Sequence, residues 1–102
     1  MRNRRELSHK LWLSYRDTPV IPSSFTEEQR AAFRGVIGNV ASVVHLKETI
    51  NHHIGAGFNL NSSFMATLRT RLNDAEEALT YYEGSLYGTT KELHSIGAQA
   101  RS

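Results

Sequence analysis

"FTEEQRAAFRGVIGNVASVVHLKETINHHIG", residues Phe25 to Gly55, decides the fold, because its apolar residues invite two readings. Val36, Ile37, Val40, Val43 and Val44 are β-branched and suit a strand by propensity. Their spacing is three and four rather than two, and Phe33, Ile50 and Ile54 extend the same stripe with only Lys47 interrupting it. That period predicts one long helix. Its start is marked: Thr26 with Gln29 three residues on matches a capping box, and Glu27 and Glu28 sit where the helix dipole favours anions. A helix of about 28 residues, over 26–54, would be ~42 Å long. Ala31, Gly35, Gly38 and Ser42 add a stripe of small side chains at steps of four, three and four. Glycine inside a helix costs roughly 1 kcal/mol relative to alanine. The stripe therefore marks either a close approach by another backbone or a weak, bent helix.

Downstream lies "TINHHIGAGFNLNSS", residues Thr49 to Ser63, which reads as the joint between two helices. A glycine just past Ile54 can take the positive φ that a helix end favours, with Phe58 and Leu60 pinning the connection to the core. Asn61, Ser62 or Ser63 can cap the next helix. That helix, over 64–87, carries Met65, Leu68, Leu72, Ala75, Leu79, Tyr82 and Leu86 three and four apart, a heptad seam. Arg69, Arg71, Asn73, Asp74, Glu76, Glu77 and Glu83 take its other faces. Beyond Gly88, Thr89 with Glu92 offers a capping box for a short helix using Leu93, Ile96 and Ala100, before a frayed end.

Upstream, Leu7, Leu11 and Tyr15 recur at four-residue steps with Trp12 beside them, so residues 1–16 form a basic amphipathic helix. Pro19 and Pro22 in "DTPVIPSS" end it and make 17–25 an extended linker. The fold expected is all-α: a long antiparallel hairpin (26–88) with an N-terminal helix and a short C-terminal one, a small helical bundle. A hairpin with two wide apolar stripes leaves surface uncovered, which predicts a homodimer. Val40, Val44, Leu68, Leu72, Leu79 and Tyr82 are the expected hairpin or oligomer seam.

At 102 residues the chain is one domain, with 39% hydrophobic residues and a net charge of +2. It holds no cysteine, which excludes disulfides, a thiol nucleophile and thiolate metal sites. Glu6, His9 and Lys10 interrupt any apolar signal segment near the start. The apolar runs fall well short of the roughly 18 residues of a membrane span, so the expected location is cytoplasmic.

Three chemistries fit the residues poorly. His45, Glu48 and His52 share a helical face, with His53 adjacent, and imidazole plus carboxylate suits zinc or iron. That face lies opposite the valine stripe and reads as solvated, and its spacing is not that of a zinc protease or a di-iron bundle. Gly55-Ala56-Gly57 lacks the following Gly-Lys-Ser/Thr of a phosphate loop. No serine has an elbow around it, and the third segment's seam is apolar where a bundle enzyme would place Arg and Glu. Neither enzyme, metal nor cofactor is expected.

Charge is uneven. Arg2, Arg4, Arg5, Lys10 and Arg16 face Glu6 alone in the first segment, while the third is acidic. Arg2, Arg4, Arg5, Lys10, Leu11, Trp12 and Tyr15 are therefore the candidate partner-binding residues. Such a helix docks on a protein groove, or contacts phosphates and stacks on bases. A protein partner is expected first and nucleic acid second, because no helix-turn-helix cue precedes a basic helix. The layout "FTEEQRAAF", joint, "RTRLNDAEEALTYY", over about residues 26–83, resembles phage helical hairpins that sequester cyclic-nucleotide signals. Small cysteine-free helical inhibitors of bacterial defence systems have a similar build. The resemblance implies a stoichiometric binder: an inhibitor, an adaptor or a sponge for nucleotide signals.

Overall fold

The computed structural model describes residues 3–57, 59 and 61–88. Among them are three helices and no strand: α1 (Arg4–Asp17), α2 (Glu27–Gly55) and α3 (Ser63–Leu86). The chain is an all-α bundle, and the helical period of Val36 to Val44 prevails over their strand propensity. Arg2, Phe58, Leu60 and the expected helix after Gly88 lie outside the described residues.

Each helix begins on a side-chain cap, which satisfies backbone N–H groups that have no partner within the helix. Asn3 accepts from Arg5 N, and Ser62 accepts from Met65 N. At α2 both halves of the capping box form: Gln29 N donates to Thr26 Oγ1 at 3.1 Å, and Thr26 N donates to Gln29 Oε1 at 2.8 Å. The joint differs in detail from expectation. Gly55 still belongs to α2, Ala56 is the C-cap, and the positive φ, +90°, falls on Gly57.

α2 and α3 run antiparallel, since Lys47 reaches Glu76 and Gly35 lies under the Tyr82 ring. At about 1.5 Å per residue, the 14 residues of α1 cover roughly half the length of α2. α1 lies on the half where α2 begins and α3 ends: Tyr15 packs edge-on to Phe33 at 5.8 Å, and Arg5 and Ser8 meet Glu83. Leu7 and Leu11 are buried there with Phe33, Val36, Val40, Leu79 and Leu86. The linker contributes too, with Phe25 buried edge-on to Phe33 and Ile21 against the same core. Fully burying a leucine contributes about 1.5–3 kcal/mol, so Leu7 and Leu11 are the main apolar hold on α1.

Two expectations are corrected. Glu83, assigned to an outer face of the third helix, is only 4% exposed, because α1 lies over that side of α3 and supplies Arg5 and Ser8. The valine stripe does not stay buried to its end: Ile54 is 44% exposed, beyond the reach of α1. The small-residue stripe divides. A Cβ on Gly35 would overlap the Tyr82 ring, whereas one on Gly38 would meet open space. Close approach therefore explains one glycine of the pair.

Candidate interaction surface

Arg5 Nε lies 3.1 Å from Glu83 Oε2, while its Nη2 donates to Glu83 Oε1 at 3.3 Å and to Thr80 Oγ1 at 3.0 Å. The Ser8 hydroxyl is 2.6 Å from Glu83 Oε2 and 3.0 Å from the Tyr87 hydroxyl. A hydroxyl has one proton to give. With Ser8 donating to the carboxylate, Tyr87 donates to Ser8, and the chain Tyr87–Ser8–Glu83–Arg5 is satisfied throughout. Arg4 adds a bond from Nη2 to the Tyr87 carbonyl at 3.3 Å. Burial raises the Tyr87 phenol pKa well above its ordinary value, and nearby Glu83 adds to the rise; the Ser8 bond and Arg4 oppose it. Both Glu83 oxygens are engaged, so this cluster is an anchor that holds α1 on α3.

That anchor redistributes the residues singled out for partner binding. Arg5 bonds to α3, and Arg4 to the carbonyl of its C-cap Tyr87. Leu11 is buried, and Trp12 and Tyr15 are half-buried against the core. Trp12 also carries Arg16 over its ring at 5.2 Å and His9 beside it at 5.5 Å. Lys10 is exposed. Of the seam residues, Val40, Leu68 and Leu79 are buried and Val44, Leu72 and Tyr82 half-buried, all within a single chain.

His45, Glu48 and His52 are exposed. His53 sits differently: its Nδ1 is 2.7 Å from Thr49 O, and its ring packs on Phe64 with centroids 5.0 Å apart. Among the described residues no group of three histidines or carboxylates stands close enough to hold a metal ion. No described helix is long and apolar enough to cross a membrane.

A groove with binding character lies where α2 starts and α3 ends. A groove of about 570 Å³ is walled by Thr26, Glu28, Ala31 and Ala32 on one side and by Tyr81, Tyr82 and Ser85 on the other. Tyr81 is 70% exposed at its edge, while Tyr82 is half-buried with its ring over Gly35. The two tyrosine rings meet edge-on at 5.3 Å. The sequence held a signal for this: adjacent residues point about 100° apart on a helix, so when Tyr82 enters the seam Tyr81 must leave it. The wall opposite sets Ala31 and Ala32 among the polar Thr26, Glu28 and Gln29. An exposed aromatic across a groove from this mixed wall can receive a protruding side chain from another surface. No family model, curated protein or solved structure matches this chain, so the likeness in layout to phage hairpins brings no family with it.

Proposed function

We propose that this chain is a non-enzymatic binding protein that occupies the surface of a partner protein, as a small inhibitor or adaptor, through the groove edged by Tyr81. The observation that carries the reading is the exposure of Tyr81, at 70%, beside a groove of about 570 Å³ with a half-buried second tyrosine. Tyrosine offers a large, stiff, amphipathic surface and is enriched among residues that dominate binding energy. The rival reading, nucleic-acid binding by the N-terminal helix, loses support because Arg5 bonds to α3, Arg4 to its C-cap, and Trp12 and Tyr15 pack on the core. A second copy of the chain remains a proposed partner, through the exposed Ile54, Phe64 and Tyr81.

The test is quantitative capture on immobilised protein from extract with and without nuclease treatment, comparing wild type with Tyr81→Ala. Tyr81→Ala should lose the captured protein while its circular dichroism and melting temperature stay those of the wild type. Capture that survives Tyr81→Ala, or that disappears with the nuclease, would remove the reading.

A further inference from the structure

A second hollow, of about 230 Å³, opens where α1 begins, between all three helices. Its floor is aliphatic: the half-buried Val44 of α2 at the surface, with Val40 and Val43 of α2 and Leu79 of α3 almost wholly covered beneath it. Its polar lining consists of Arg5 and His9 of α1 and Lys47 of α2, all nitrogen-bearing, and no carboxylate lines it. Glu83 and Glu76 stand nearby and face Arg5 and Lys47 respectively. Those pairs leave donors unspent. The Arg5 bonds use Nε and Nη2, so among the described residues Nη1 has no hydrogen-bond partner. Lys47 Nζ stands 3.8 Å from Glu76, beyond hydrogen-bond reach, and keeps its three donors.

We infer that this hollow binds a small amphipathic anion, a carboxylate carrying a short unbranched alkyl chain. The aliphatic floor accepts the chain, and the Arg5 and Lys47 donors hold the carboxylate by charge-assisted bonds at the rim. Size sets the chain length. If each heavy atom claims roughly the 30 Å³ share of a water molecule, about eight heavy atoms fill the hollow. Hexanoate has that size. A phospholipid or a nucleotide would extend well beyond the hollow. Selectivity follows from the same geometry: an alcohol of equal length lacks the charge for the rim, and acetate lacks the chain for the floor.

The experiment is a titration followed by the methyl resonances of Val40, Val43, Val44 and Leu79, with hexanoate, hexan-1-ol and acetate as probes. Hexanoate should shift these methyls together along one saturable curve, at least tenfold tighter than hexan-1-ol or acetate. Lys47→Gln, at a side chain 58% exposed and thus tolerant of change, should weaken hexanoate binding severalfold without altering the melting temperature. A second variant, Val44→Phe, narrows the hollow from its half-buried edge and should weaken hexanoate while leaving the capture lost with Tyr81→Ala unchanged. Equal binding of hexan-1-ol and hexanoate, or shifts that do not saturate and spread over exposed lysines, would overturn the inference. So would hexanoate binding untouched by both variants.

Discussion

Two glycines three residues apart on α2 give opposite expectations. At Gly35 an added methyl would collide with Tyr82 near the root of its ring, where the side chain yields least. Gly35→Ala should therefore destabilise by about 1–3 kcal/mol, the usual cost of overpacking. At Gly38 the space is open, so Gly38→Ala should stabilise by up to about 1 kcal/mol through helix propensity alone. Urea unfolding of both variants checks the pair; a common sign would mean that the Tyr82 contact does not shape the seam. Tyr87 supplies a pH signature. Its folded-state phenol titrates above the ordinary value of 10.0, so above that pH the unfolded chain releases the proton and the folded chain keeps it. Stability from this group is complete below pH about 10 and falls above it by up to about 1.4 kcal/mol per pH unit. Tyr87→Phe should flatten that alkaline loss, measured by thermal unfolding between pH 8 and pH 11 or so.

α1 is the element whose place the sequence concealed. Its own face was legible in Leu7, Leu11 and Tyr15, and α2 and α3 were legible in their periods and caps. The side of the hairpin it would cover was not, since periodicity identifies the apolar face of a helix but not which neighbour covers a mixed one. Glu83 shows the difficulty: four residues after Leu79 and three before Leu86 it shares their side of the helix, yet a carboxylate reads as solvent-facing, and only the arrival of Arg5 and Ser8 makes its burial tolerable. The same contact turned Arg4 and Arg5 from candidate partner residues into internal anchors. The joint glycine was misplaced by two residues because Gly55 and Gly57 both satisfy a helix end locally. Ser8→Ala tests the anchor. It removes the donor to Glu83 and the acceptor for Tyr87 from a site with no exposed surface, so about 1–3 kcal/mol of stability should go. A neutral Ser8→Ala in denaturant unfolding would mean that the Ser8 bonds to Glu83 and Tyr87 do not hold α1.

For the whole molecule, the hairpin seam is closed by α1 within one chain, so Val40 and Leu79 are core residues before any second copy arrives. Val40→Asp should consequently unfold the single chain rather than merely dissociate an assembly. An unpaired buried charge costs several kcal/mol, a large part of what a small domain has. Circular dichroism and light scattering on that variant separate the two outcomes. The surface we propose for function is then the tyrosine groove, with Arg4 and Arg5 engaged in holding the fold together. That assignment is the central claim, and nucleic-acid binding is its direct competitor. The decisive measurement is fluorescence anisotropy with labelled single strands and duplexes of DNA and RNA, titrated from low salt to about 150 mM. Phosphate binding releases counterions and weakens steeply across that range. The expected result is no tight binding at the upper end and only weak, sequence-independent association at the lower. Submicromolar, salt-sensitive binding that Arg4→Gln with Arg5→Gln abolishes in a still-folded protein would contradict it.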